Sequence, residues 1–365
     1  MTARSAAEGP APSFVHEQGA SRVVFGPGEV TRVGAEAARL GAERILLISD
    51  RRSRGVADAI ADLVDGRVCG RVVETATHVP HQEAEDATRL ARTREADLLV
   101  CVGGGSATGL AKAVALRTRT RILAVPTTYA GSEMTPIWGI TRDGHKRTGR
   151  DPVVQPVTVV YDPELTYGLS PGFSAASGMN AAAHLVEASY APRVSPVTAA
   201  ISAQGLRLLA GALQKVTTAP RDPVARADAL TGAWLAGWAL GSALMGLHHK
   251  ICHVLGGAYG LPHAAVHSAV LPYVAAYNRS AAPQPLRRVA EALGGDDAAG
   301  ALWDLRRAIG APAALEALGF TASDLDHAAA LVVEERPVNP RPADVAGVRA
   351  VLRAALDGRR ATEIP

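Results

Sequence analysis

Apolar positions in the first 165 residues follow two alternating periods. Val30, Val33, Ala37 and Leu40 recur every three or four residues and stop at Gly41, the pattern of an amphipathic helix. The apolar run that follows at 45–49 (ILLIS) reads as a buried strand. Val56, Ile60, Leu63 and Val64 predict a second helix, 68–73 a second strand, 83–94 a polar helix and 98–102 (LLVCV) a third strand. Two further strands are expected at 121–126 (RILAVP) and 158–162 (TVVYD). Wholly apolar strands separated by helices imply a parallel, doubly wound sheet covered on both faces, with ligands beyond the carboxyl ends of its strands. Past Asp162-Pro163 the strand signals stop, and 170–358 reads as Ala/Leu-rich helices broken by Pro and Gly. A chain of 365 residues also exceeds the roughly 250–300 at which one core stops growing. The expected fold is therefore α/β plus all-α: a loose tail over 1–13, a doubly wound parallel-sheet domain over 14–168, and a helical domain over 169–365, with the cleft between them as the ligand site.

Composition narrows the class. The chain is 48% hydrophobic and 20% charged, and its net charge of +3 comes from basic residues scattered among acidic ones, so nucleic acid is not an expected partner. Three cysteines without a CxxC pair make a poor disulfide framework, and the N-terminus has no apolar segment of signal-peptide type; a reducing cytoplasm is the expected compartment. The uncharged run 229–247 has the length of a membrane span, but glycines interrupt it and His248, His249 and Lys250 follow directly, so a buried helix is expected and a membrane is not.

Four stretches carry candidate chemistry. In VGGGSATGLAK, Gly103, Gly104 and Gly105 end a strand, Ser106 can cap the next helix, and Gly109 permits close packing; such a turn suits a phosphate and equally serves as a plain turn. Asp50, at the end of the first strand, can accept from ribose hydroxyls and would favour NADH over NADPH, although Arg51 and Arg52 beside it weaken that inference. In PTTYAGSEMTP, Thr127, Thr128, Tyr129 and Ser132 bring hydroxyls to where cofactor or substrate would lie. The fourth stretch is the richest. His249 and His253 share a helical face, His263 follows Pro262, His267 lies a turn further, and upstream Asn180 and His184 are four apart. Three imidazoles could converge on a divalent ion, yet the position where a neutralising carboxylate would stand holds the neutral Asn180.

The order GGGS, PTTYAGSEMTP, YDPELTYGLSP, SGMNAAAH and HHKICHVLGGAYGLPH resembles the iron-containing alcohol dehydrogenase superfamily over nearly the whole chain. The resemblance implies a dehydroquinate synthase-like fold, with a dinucleotide-binding domain over 14–168 and a helical substrate and catalytic domain over 169–365, a nicotinamide cofactor and a homodimer. The metal ligands of that superfamily, an Asp and three His, fall on Asn180, His184, His249 and His263. Within it the chain is similar to maleylacetate reductases in its Asn180, its paired HHK and its Asn339-Pro340-Arg341. That branch implies hydride addition to a C=C conjugated to a ketone, without a metal, with His253 or His249 as donor and proton relay and His184 and His263 lining the pocket. A dianionic substrate needs fixed cations, for which Lys146, Lys250 and Arg341 are candidates, each equally compatible with a solvated surface role. Three other readings stay open: a metal-dependent alcohol dehydrogenase or aldehyde reductase in which three histidines suffice, a reductase of a related enone in a biosynthetic pathway, and a metal-free binding or sensor protein that kept the fold without the chemistry.

Overall fold

The computed structural model describes Phe14, His16, Gly19 and residues 21–364 apart from 77–78, 143–144 and 361–363. The expected tail over 1–13 lies outside the described residues. A six-stranded sheet is built from β1 (Arg22–Phe25), β2 (Ile45–Ser49), β3 (Val68–Val72), β4 (Leu98–Gly103), β5 (Arg121–Pro126) and β8 (Thr158–Tyr161). Its order is β1-β8-β5-β4-β2-β3, with every neighbouring pair parallel. The helices α1 (Val33–Arg39), α2 (Arg54–Leu63), α3 (His81–Thr93) and α4 (Gly105–Thr118) run between strands. Alternation sorts the strand side chains by face. Ile45, Leu47, Leu98 and Val100 pack with Val33, Ala37 and Ile60 of α1 and α2, while Leu46, Ile48, Leu99 and Cys101 pack with Ala87, Ala91, Leu110 and Val114 of α3 and α4.

Two strand features depart from expectation. The four-residue β1 pairs with β8 at the sheet edge, in register Val23 with Val159, and is too short to show a period. Between β5 and β8 an antiparallel hairpin, β6 (Ile137–Arg142) and β7 (His145–Arg150), forms a separate two-stranded sheet.

Beyond residue 170 the described chain is helical: α5 (Pro171–Ser189), α6 (Pro196–Thr218), α7 (Pro223–Ser242), α8 (Leu247–Ala258), α9 (His263–Asn278), α10 (Pro283–Leu293), α11 (Ala298–Ala308), α12 (Leu325–Glu334) and α13 (Val345–Asp357). The first three start alike, with a cap followed by proline: Ser170, Ser195 and Asp222 accept from Phe173 N, Thr198 N and Ala225 N, and Pro171, Pro196 and Pro223 fill the position where a missing N–H costs nothing. Helix α5 is buried from Ser174 to Ser189 and forms the axis against which α6, α7 and α9 pack. The run 229–247 is not one helix. It breaks after Ser242, α7 and α8 meet at 98°, and no single described helix is long and apolar enough to cross a membrane.

Candidate active site

The chain passes from β2 outward to β3 and then returns to the other side of β2 to form β4, so the strand order reverses between β2 and β4. Crevices at such reversals are where open α/β sheets bind ligands. Asp50 and the glycine turn stand on its two sides. Asp50 Oδ1 accepts from Ser53 N at 2.9 Å, capping the turn that leads into α2, and Oδ2 accepts from Gly104 N at 2.9 Å. The carboxylate therefore bridges the reversal, and each oxygen keeps a lone pair for a ribose hydroxyl. Gly103 has φ +145, and a Cβ there would lie 2.3 Å from Asp50 Oδ2. Ser106 does not cap α4, contrary to expectation. Gly104 occupies the cap position, no side chain bonds to the helix start, and exposed Gly105 follows. An uncapped start of a 14-residue helix, lined by glycine, fits a dinucleotide pyrophosphate.

The segment after β5 lies against this turn. Thr127 N donates to Gly103 O at 3.0 Å, Thr127 Oγ1 meets Ser53 Oγ at 3.1 Å, and Thr128 packs on Gly104. Lys112, buried on α4, fixes what comes next: Nζ reaches Ser132 O, Thr135 O, Thr135 Oγ1 and Ile137 O at 2.6–2.9 Å. Burial pulls this ammonium down to about 7, opposed by the nearby Glu133 carboxylate. Ser132 Oγ is buried without a partner. Tyr129, expected at the substrate, is fully buried, and its hydroxyl accepts from Arg226 Nη1 at 2.8 Å.

The histidines do converge. Asn180, His184 and Glu187 form one stripe of α5 at spacings of four and three. His184 stacks on His249 of α8 at 5.0 Å between ring centroids. His267, one turn into α9, lies 4.8 Å from His249 and its Nε2 meets His263 Nε2 at 3.1 Å. His253 is exposed a turn along α8, 6.2 Å from the His263 ring. Sequence reading passed over Glu187, although its spacing from Asn180 and His184 places it on their stripe. Its Oε1 accepts from His248 N at 2.8 Å, its Oε2 from His249 N at 3.3 Å, and Oε2 also pairs with His249 Nδ1. Burial pulls His248 down to about 4 and His249 to about 3, and holds His184 and His267 well below the usual imidazole range. Four neutral rings result at pH 7. Asn180 Oδ1, His184 Nδ1 and His249 Nε2 are buried without partners, leaving hydrogen-bonding capacity inside the cluster.

Two of the expected cations have partners outside the cluster. Arg341 lies over the Tyr277 ring at 4.1 Å and donates from Nη1 to Ile364 O, so one face and one donor of its guanidinium are engaged there. Lys250 pairs with Glu335 at 2.8 Å, with side-chain exposures of 32% and 54%. Lys146 lies on β7, opposite Thr141, and its side chain is outside the described residues.

Residues 20–163 match the iron-containing alcohol dehydrogenase family and residues 174–356 match the C-terminal part of the Fe-containing alcohol dehydrogenase family. The chain belongs to the iron-containing alcohol dehydrogenase family. It is an oxidoreductase. Among its relatives, a maleylacetate reductase of Pseudomonas sp. (strain P51) is 45% identical, covering 95% of this chain and 98% of that one. Among solved structures, a putative alcohol dehydrogenase from Ralstonia eutropha JMP134 superposes with a TM-score of 0.93 at 47% identity, and a maleylacetate reductase from Agrobacterium tumefaciens with 0.92 at 43%; each covers 95% of this chain and 99% of its own.

The name of this family implies a metal, and the donor set here fits one poorly. Asn180 offers a neutral amide oxygen, the Glu187 oxygens are taken by α8 and His249, and His263 Nε2 is engaged by His267. Among the described residues, the groups of three donors within 4.8 Å of one another are Glu187, His248, His249 and His248, Cys252, His267; neither contains His184 or His263. With neutral ligands alone, a +2 ion forgoes a Coulomb term worth several kcal/mol at about 4 Å.

Proposed function

We propose that this oxidoreductase reduces the C=C bond of maleylacetate to give 3-oxoadipate, using NADH (or NADPH) and no divalent metal, in a cytoplasmic pathway of aromatic catabolism. The observation that carries the reading is the α5 stripe: an amide where a metal-binding carboxylate would stand, facing neutral imidazoles with free hydrogen-bonding atoms. The names of the relatives point the same way.

Asp50 would receive the ribose, and the Gly103–Gly105 turn with the start of α4 the pyrophosphate. When bound, the reduced nicotinamide supplies a hydride for the alkene carbon β to the ketone, leaving an enolate. The residues of the chain then have two tasks. His184 and Asn180 face the enolate with hydrogen-bonding groups already desolvated, which stabilises developing charge without reorganisation. A proton must also reach the carbon α to the ketone. His253, exposed on α8 a turn from His249, exchanges with solvent and feeds the buried rings. Overall one hydride and one proton add across the double bond. Lys250 remains available for a substrate carboxylate, because an exposed ion pair is worth at most about 1 kcal/mol and exchanges readily. Arg341 and Tyr129 are not part of this reading.

The test is to follow reduced-nicotinamide absorbance with maleylacetate and chelator present. Steady oxidation to 3-oxoadipate is expected; no oxidation with either nucleotide would remove the proposal. A metal-dependent aldehyde reductase would instead lose its activity to the chelator.

A further inference from the structure

The carboxylate at Glu187 sits against His249, and the reaction as written leaves it without a task. Its side chain is fully buried and that of His249 is 7% exposed. It meets three donors in one place: the backbone N–H groups of His248 and His249 and the ring edge of His249 at Nδ1. Helix α8 has no other side-chain cap, since Gly246 stands at its start. That glycine is also needed for the approach: a Cβ there would lie 3.2 Å from Glu187 Oε1 and 2.7 Å from Val338 O.

We propose that Glu187 is a positioning residue for the reaction. It anchors the start of α8 and holds the His249 ring with its proton on Nδ1, so that Nε2 presents a lone pair to the substrate site. The inference deepens the function proposed above, because it takes His249 to line that site. The unpartnered Nε2 agrees with it: a neutral imidazole that donates through Nδ1 has only an acceptor left at Nε2. Carboxylates behind functional imidazoles commonly set ring orientation and tautomer in this way, and losing one typically costs about 10–100-fold in activity.

Glu187→Gln separates the two parts of this role. The amide oxygen keeps an acceptor for α8 and the shape is unchanged, but the amide NH2 donates to Nδ1 and moves the ring proton to Nε2, reversing the polarity of the edge that faces the substrate. Nitrogen-15 spectra of the full-length protein should show wild-type His249 protonated on Nδ1 and the variant protonated on Nε2. With NADH and maleylacetate, kcat should fall about 10–100-fold while KM for NADH stays within about twofold. Glu187→Asp, which keeps the charge but loses a methylene, should retain more activity than the isosteric glutamine. A purely structural role predicts the opposite order. A wild-type proton on Nε2, a tautomer unchanged in the glutamine variant, or glutamine outperforming aspartate would each overturn the proposal. The spectra need no substrate, so they decide the matter even if maleylacetate is not turned over, and the two failures are distinguishable.

Discussion

Gly131 and Gly237 meet backbone to backbone: a Cβ on Gly237 would lie 2.5 Å from Gly131 O and 2.9 Å from its Cα. One glycine belongs to the segment after β5 and the other to the middle of α7. A Cβ on Gly131 would lie 3.5 Å from His184 Nδ1, so this crossing sets the distance between the proposed cofactor side and the histidine cluster.

Gly237→Ala should therefore impair catalysis while leaving the fold intact. Alanine in a helix interior gains roughly 1 kcal/mol over glycine, but the 2.5 Å clash is with backbone and has to be relieved by moving the segment that carries Gly131. We expect kcat/KM to fall about 10–100-fold with helical circular dichroism unchanged, since misplacement by about 1 Å has that effect. Activity within twofold of wild type would show that the crossing does not set the geometry of the site.

Tyr129→Phe tests the reassignment of that tyrosine from substrate contact to core. Arg226 is fully buried and donates to Tyr129 Oη at 2.8 Å, Ser174 Oγ at 3.0 Å, Leu169 O at 3.1 Å and Pro220 O at 2.7 Å. Removing the hydroxyl leaves a buried cation one acceptor short, at a cost of about 1–3 kcal/mol. The expected result is a Tm lower by several degrees with KM for maleylacetate unchanged. A raised KM at unchanged Tm would return Tyr129 to the substrate.

The parallel sheet and the histidine cluster were legible because each has a periodic cause. Wholly apolar runs become β2 and β4, and residues four apart on α5, α8 and α9 share faces. The edge strand β1 was not legible: RVVF is too short to show a period, and pairing with β8, more than 130 residues away, defines it. The β6–β7 hairpin escaped for a related reason, since it lies outside the main sheet and β7 (HKRTGR) carries no apolar side chain to mark it as a strand. The partners of Arg341 and Lys250 were not legible because sequence gives charge but not contacts; Tyr277, Ile364 and Glu335 are distant in sequence and meet them only in the fold. Glu187 was readable in principle. It lies on the Asn180–His184 stripe, but a lone glutamate in a helix carries no motif.

Stability should fall as the solution is acidified from pH 6.5 toward 4. His248, His249, His184 and His267 are held below their usual range by burial, so the unfolded chain binds protons that the native one refuses. Unfolding then takes up protons in this window, and its free energy rises with pH by up to about 1.4 kcal/mol per unit for each histidine involved. Glu187, Glu133 and Glu83 work in the opposite sense: burial raises their pKa, so above 4.5 the native state keeps protons that the unfolded chain has released. Three carboxyls, released near 4.5 in the unfolded chain, oppose four histidines that titrate near 6.5 there, and they trim the effect without reversing it. Thermal unfolding at pH 7.5 and pH 5 should give the lower Tm at pH 5. Equal values would mean that the rings are protonated in the native state.

Asn180→Asp should turn the cluster toward metal binding. The substitution changes one atom type on α5 and adds a negative charge beside His184, whose Nδ1 is unpartnered, and near His249, whose Nε2 is also free. A unit charge at about 4 Å from a +2 ion contributes several kcal/mol even in a fairly polar site. His263 would have to exchange its contact with His267 for the ion, giving up one hydrogen bond worth about 1 kcal/mol, which the added charge exceeds. Elemental analysis after equal exposure to Fe2+ or Zn2+ should therefore find the variant close to one ion per subunit and the wild type far below that. Maleylacetate reduction should fall in the variant, because a carboxylate facing the enolate repels the charge that forms there. Wild-type protein that retains one transition ion per subunit through chelation, and needs it for turnover, would refute the metal-free reading of this site.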